Sequence, residues 1–348
     1  MAMALYEPGL GYYVNGLHKF GQAGDFVTAP EQGALFAQAL ARQFDAIADE
    51  LGNDWTLLEL GAGSGALARD LLRHAKRPPA SYLILDTSAA LRAVQAETLS
   101  SLPESLLKRV QWLKAPPSDR FDGVIVGNEV LDALPVSPFE WANGQLHERA
   151  VTVSDRRFAW DRLAPQARLI DAVDQLKTQL PQPLPAPYIG EICLDLPGWI
   201  ETVTEPLRRG LALFVDYGYP RAEYYHPQRH GGTLVCHYRH RAHFDPFVWP
   251  GLTDISSFVD FSLVADAGAE AGLELAGFSS QAGFLLGLGA HEWVAQAGSE
   301  RERIQLAAEL KRLTLPSEMG EKFKVMGLTR GLSAPPMGFD CLSQLHRL

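Results

Sequence analysis

Residues 57–65 read Leu-Leu-Glu-Leu-Gly-Ala-Gly-Ser-Gly, and a helical pattern over 66–74 follows at once. A strand that runs into a glycine-rich turn and then a helix fits few architectures, because such a turn needs φ/ψ values that most side chains resist. The motif then repeats in coarser form: short apolar runs at 82–85, 110–113 and 121–126 alternate with a helical stretch at 88–99, and a further run, Leu-Ala-Leu-Phe-Val, occupies 211–215 before Asp216-Tyr217-Gly218. This alternation predicts an α/β fold with a mainly parallel sheet covered on both faces.

About 85 residues separate the fourth and fifth runs, too many for one strand-helix-strand crossover. An α+β subdomain is therefore expected as an insertion. It opens with a hairpin, 139–141 and 146–153, around Asn143-Gly144, since Asn-Gly tolerates the positive φ of a type I′ turn. An apolar stretch at 158–163, a helix near 169–180 and the alternating Pro181, Pro183, Pro185 and Pro187 complete it. The expected division is an N-terminal segment 1–54 with a helix at 35–51, core parts 55–138 and 206–348, and the insertion 139–205. In the last part we expect a loop over 220–252, a helix near 259–271 and strands at 273–278 and 323–328, with a mildly basic, solvated surface after 301.

Composition excludes several classes. Lys and Arg number 31 against 41 Asp and Glu, a net charge of −10, which offers no counterion-release drive toward nucleic acid. The three cysteines, Cys193, Cys236 and Cys341, do not make a disulfide framework and suit a reducing compartment. No stretch approaches the roughly 20 apolar residues of a membrane span, and no secretory signal opens the chain. A soluble, cytoplasmic protein is expected.

The glycine loop suits either of two cofactors. Gly61 and Gly63, with Gly65 in the same turn, satisfy a dinucleotide fingerprint in the form Gly61-x-Gly63-x-x-Ala66, and Asp86 after the second strand is placed to hold ribose hydroxyls. Glu59, two residues before the first glycine, would repel a pyrophosphate. It would attract the ammonium and sulfonium of S-adenosyl-L-methionine, which favours that cofactor over NAD. A second motif, Asn128-Glu-Val-Leu-Asp-Ala-Leu-Pro135, follows the fourth strand, where ligands of open α/β sheets bind. If a helical turn follows, Glu129 and Asp132 share one face, and two carboxylates beside the Asn128 amide suit a guanidinium. The plainer reading is that Asn128 caps a helix and the acids stabilise its first turn.

Together these segments resemble the MidA-like class I methyltransferases. The resemblance rests on Tyr6-Glu-Pro-Gly-Leu-Gly-Tyr-Tyr13, Gly24-Asp-Phe-Val-Thr-Ala-Pro-Glu31, Glu59 to Gly65, Asn128 to Pro135, Asp216-Tyr-Gly218 and Pro250-Gly-Leu-Thr-Asp-Ile255, in family order from Tyr6 to about Leu328. It implies a Rossmann-like methyltransferase core with an inserted subdomain. It also implies methylation of a protein arginine, the activity of a mitochondrial member that serves complex I assembly. The chain departs from the family's usual residues at Asp86, Ser256 and Phe258, where Glu, Thr and His are common.

On this reading Glu129, Asp132 and Asn128 are the catalytic candidates, with Asp216 a further candidate for orienting substrate. Glu59, Gly61, Gly63, Gly65, Asp86, Thr28 and Glu31 are the cofactor candidates, the last two with Pro30 in a lid. Cys236, His237, His240 and His243 lack a usual zinc spacing, so no metal is expected, and a groove for the acceptor is the preferred role. An NAD-dependent oxidoreductase and a non-catalytic, cofactor-binding assembly factor remain as alternatives. Oligomeric state is left open.

Overall fold

The computed structural model describes residues 1–16, 19 and 27–348. Gly24, Asp25 and Phe26 of the second family motif lie outside them. Strands β1 (Thr56–Leu60), β2 (Ser81–Leu85), β3 (Val110–Leu113) and β4 (Phe121–Asn128) are followed by β5 (Ser137–Ala142), β6 (Gln145–Ser154), β7 (Arg157–Leu163) and β8 (Tyr188–Ile192). Then come β9 (Leu207–Tyr219), β10 (Val235–Tyr238), β11 (Arg241–His243), β12 (Asp254–Ser256), β13 (Val259–Asp260), β14 (Glu274–Ser280) and β15 (Phe323–Arg330).

The main sheet has the order β14-β15-β9-β4-β1-β2-β3. β3, β2, β1, β4 and β9 run parallel, whereas β15 inserts antiparallel between β9 and β14. Alternate residues of β1 serve the two faces. Leu57 packs under the helix Leu35–Leu51, whose Phe36, Leu40 and Phe44 are fully buried, while Leu58 packs with Ile200, Phe261 and Val264 from helices on the other side. The helix Leu35–Leu51 is anchored from a distance: the buried Glu309 carboxylate, on helix Glu300–Thr314, accepts from the Leu35 amide at 3.2 Å. It thereby satisfies one of the free N–H groups of that helix's first turn.

Between β4 and β9 stands a separate four-stranded antiparallel sheet, β7-β6-β5-β8, with the helix Ala167–Gln179 packed through Leu169 and Val173 on Phe139 and Tyr188. Asn143 and Gly144 both take positive φ, 54° and 74°, at its first turn. A third sheet, β11-β10-β12, packs against the N-terminal residues through Leu5, Tyr12, Cys236 and Ile255.

Four local expectations need correction. The helix near 259 begins only at Phe261, because Val259 and Asp260 pair with the end of β9 and the Asp260 carboxylate then accepts from the Ser262 and Leu263 amides as the cap. The expected loop 220–252 contains β10, β11 and the short helix Arg221–Tyr224. Most of the basic residues after 301 are exposed as expected, but Lys324 in β15 is buried and the helix Glu300–Thr314 buries Glu309 and Leu313. No helix follows Asn128. Glu129 instead adopts φ 54°, and its amide donates to the Val215 carbonyl at 2.8 Å.

Candidate active site

At the carboxyl ends of β1, β2, β4 and β9 lies a cavity of about 1000 Å³, at the upper end of the range usual for ligand pockets. Two groups of residues line it. The first belongs to the glycine loop and its neighbours: Glu59, Gly61, Gly63 and Asp86, with Thr28 and Glu31 from across the cavity. Gly65 stands just behind, as the cap of helix Ala66–His74, at φ 83° with a Cβ position only 3.1 Å from the Gln95 Cα. A side chain there would be both strained and crowded.

The Glu59 carboxylate is buried and accepts from the Tyr82 hydroxyl at 2.7 Å; burial raises its pKa to about 7, against the lowering effect of that bond. Asp86 is also shifted upward by burial, although its two oxygens accept from the Ser88 amide and the Gln95 side-chain amide, both at 2.8 Å. Glu31, in the short 3₁₀ turn Ala29–Glu31, accepts from the Ser64 hydroxyl of the glycine loop. The segment carrying Thr28, Pro30 and Glu31 thus closes onto that loop.

Gln95 was not a sequence candidate, because a glutamine inside a helix announces nothing. It is fully buried and donates to both the Gly63 carbonyl (3.1 Å) and Asp86, while its carbonyl accepts from the Trp112 indole at 3.1 Å. Gln95→Leu strands all three partners. We expect roughly tenfold weaker binding of S-adenosyl-homocysteine, read by titration calorimetry; an unchanged Kd would refute the role.

The second group forms the other end of the cavity. Asn128, Glu129 and Asp132 line it with Tyr6, Tyr13, Tyr217, His237, Asp254 and Phe258. Glu129 Oε1 accepts from the Asn128 side chain (3.1 Å) and from the Ala29 amide (3.4 Å). Desolvation raises its pKa to about 8, with the Asp132 charge adding to the effect. Asp132 is buried, accepts from the Tyr217 hydroxyl, and is raised to about 6 by burial and then by Asp254. Its Oδ1 and the Asn128 Oδ1 are buried with no hydrogen-bond partner among the described residues.

Glu129 and Asp132 therefore converge without a shared helix face. The left-handed turn at Glu129 redirects the chain, and Asp216 holds the result in place: its Oδ2 accepts from the Leu131 (2.9 Å) and Asp132 (3.2 Å) amides. Asp216 itself is fully buried and does not line the cavity, so its expected place beside the substrate is corrected to support of the turn. Tyr217, Asp254 and Tyr13 were also missed as site residues; they come from distant segments and carry no spacing signal. His237 reaches the cavity, whereas His240 sits in the tight turn between β10 and β11 and Cys236 is opposite His243 in the ladder. Among the described residues no group of three or more potential ligands is placed to hold a metal.

These carboxylates carry a stability signature. Folded pKa values of about 7, 8 and 6 at Glu59, Glu129 and Asp132 lie above ordinary carboxylate values near 4, so the native state binds extra protons and their contribution is lost as pH rises. The ligand-free Tm is expected to fall between pH 5 and pH 8, with a shallower slope in Glu129→Gln. A Tm that rises over that window would contradict the burial.

Residues 35–279 match the family described as "Putative S-adenosyl-L-methionine-dependent methyltransferase". A crystal structure from Burkholderia thailandensis bound to S-adenosyl-homocysteine is 41% identical, with a TM-score of 0.92 over 100% of this chain and 90% of that one. The mitochondrial protein arginine methyltransferase NDUFAF7 of Mus musculus is 29% identical over 94% of this chain and 79% of its own length. The Drosophila melanogaster homologue is 26% identical over 98% and 84%.

The NAD and non-catalytic readings are not favoured by these matches. The cytoplasmic expectation is also corrected: these named relatives are mitochondrial, and unpaired cysteines with no spanning segment do not separate one reducing compartment from another. No helix among the described residues is long and apolar enough to cross a membrane. The glycine cradle, with acids at the ends of its two flanking strands, fits the cofactor of the matched family, and this chain belongs to that family of S-adenosyl-L-methionine-dependent methyltransferases.

Proposed function

We propose that the chain methylates an arginine side chain of a protein substrate, with Glu129, Asp132 and Asn128 seating the guanidinium. The observation that carries this is the acceptor end of the cavity, where buried carboxyls with raised pKa values and unpaired buried oxygens face aromatic walls. Such a seat is costly when empty. A planar cation with several N–H donors satisfies it, by bidentate contact and by stacking on Tyr or Phe faces. The relatives named as protein arginine methyltransferases support the same reading.

S-adenosyl-L-methionine supplies a methyl group on a positive sulfur. For this chain we assign Gly61, Gly63, Gly65, Glu59, Asp86, Thr28 and Glu31 to holding the cofactor. A cofactor held by them would lie beside the acceptor end, so that orientation supplies much of the rate. Glu129 and Asp132 draw guanidinium charge toward two nitrogens, which leaves the third with more of its lone pair. The main sheet forms the core of this division of labour; we assign the four-stranded sheet between β4 and β9 to an inserted subdomain, 139–205, flanking the acceptor end. The complex I assembly role that the family resemblance implies would make a respiratory subunit the substrate.

The test is transfer of tritium from S-adenosyl-[methyl-³H]methionine to a protein extract of a strain lacking this chain, followed by acid hydrolysis and amino-acid analysis. Label is expected in methylarginine. Label confined to methyl-lysine, to base-labile esters or to small molecules would overturn the arginine reading.

A further inference from the structure

Methylation of a guanidinium leaves a proton to be removed. The acceptor nitrogen forms its bond to carbon as the carbon–sulfur bond breaks with both electrons going to sulfur; the methylated product then sheds one proton to become a singly charged N-methylguanidinium. On the proposed seating Asp132 is the candidate to take that proton, because its Oδ1 is buried with no hydrogen-bond partner among the described residues. Asp132 is itself 6% exposed, so it needs an onward path.

The β10–β12 sheet offers one. The Ser256 hydroxyl donates to Asp254 Oδ2 at 2.9 Å and stands beside Asp132, whose ionised form it favours. Asp254 Oδ2 is 4.0 Å from His237 Nδ1, and the His237 side chain is 30% exposed. A small rotation or one bridging water closes that gap. Imidazole is the side chain that ordinarily changes charge between pH 5 and 8. Among the described residues, the other groups around Asp132 are held by bonds of their own: Tyr217 donates to it from β9, Asp216 accepts from its amide, Glu129 lies on its own turn, and Tyr6 and Tyr13 donate to the Ala133 carbonyl and to Asp254 Oδ1.

We propose that Asp132, Ser256, Asp254 and His237 form a proton exit that carries the proton of the methylated nitrogen from the buried acceptor seat to solvent. The proposal rests on the reading of the acceptor as a nitrogen cation. Asp254 and His237 act through Asp132 and are positioning and relay residues.

Two measurements test it. In the complex with S-adenosyl-homocysteine, the His237 Cε1 proton is titrated by NMR in the wild type, in Asp132→Asn and in Asp254→Asn. Loss of either carboxylate is expected to lower the His237 midpoint, by about one pH unit for Asp254. Midpoints unchanged in both variants would overturn the relay. Single-turnover methyl transfer to a pool of synthetic peptides, each with one arginine, is then followed against pH. Asp254→Asn and His237→Ala are expected to lose roughly tenfold or more in rate above pH 7, where an imidazole is ordinarily neutral and can take the proton, with S-adenosyl-homocysteine Kd within about twofold of wild type, and added imidazole is expected to restore His237→Ala. Rate profiles that superpose on the wild type would overturn the relay. If wild type labels no arginine while the histidine titration shows the coupling, the arginine reading fails and the connection between the four groups stands.

Discussion

Glu129→Gln is expected to retain S-adenosyl-homocysteine binding within about twofold while methyl transfer falls by roughly 10²- to 10⁴-fold. The substitution keeps shape and the hydrogen bonds from Asn128 and Ala29 but removes the charge that faces the acceptor. Wild type approaches the same state by titration. With the carboxyl held at about 8 by burial, it carries a proton at neutral pH in the empty cavity, and a guanidinium must displace that proton to be seated. The acceptor KM is therefore expected to fall as pH rises from 6 to 9, and the fall should be absent in Glu129→Gln. Calorimetry with S-adenosyl-homocysteine and a radiometric transfer assay separate the two halves of the site. Parallel loss of both would place Glu129 with the cofactor instead.

The largest structural effect is expected at Gly210. It takes φ 143° and pairs with Gly123 where β9 meets β4, and a Cβ there would stand 1.8 Å from the Gly123 carbonyl oxygen. Backbone cannot yield as a flexible side chain can. Gly210→Ala is expected to destabilise the fold by about 3 kcal/mol or more, read from urea unfolding of the purified protein or as failure to recover folded protein. Gly198→Ala is the control: Gly198 lies within the helix Leu196–Thr204 with nothing within 4 Å of its Cβ position, so alanine should be neutral or stabilising by up to about 1 kcal/mol. Equal stability of the two variants would show that the strands do not pack at this point as closely as described.

The difference between these two sites of sensitivity bears on what could be read from residues alone. The strand, glycine turn and helix at 56–74 are legible because local chemistry decides them: apolar residues must be covered, and the turn must be glycine. Glu59 and Asp86 are legible for the same reason, as acids at the ends of apolar runs. The acceptor end is different. Asn128, Glu129 and Asp132 are visible as a motif, but their convergence depends on a left-handed residue and on Asp216, 84 residues beyond Asp132 in sequence.

Tyr13 and Asp254 stand in motifs of the family resemblance and His237 in the expected acceptor groove, but only the third sheet brings the three together at the cavity. The insertion is visible as a length that no simple crossover accommodates, and its first hairpin through Asn143-Gly144. The antiparallel entry of β15 is not, since an apolar strand looks alike in either direction.

The distribution of the two groups along the chain has a consequence for how the protein is made. Most of the cofactor cradle, Glu59 to Gln95, lies within one continuous stretch, whereas the acceptor end draws on Tyr6 and Tyr13, on Glu129 and Asp132, on Tyr217, and on His237 to Phe258. A ribosome working at roughly 5–20 residues per second needs on the order of ten seconds to pass from Asp132 to Phe258. On the proposed assignment, the nascent chain for that interval holds the residues that receive a methyl donor but not those that complete a seat for its acceptor, so chemistry waits on the late arrival of β12.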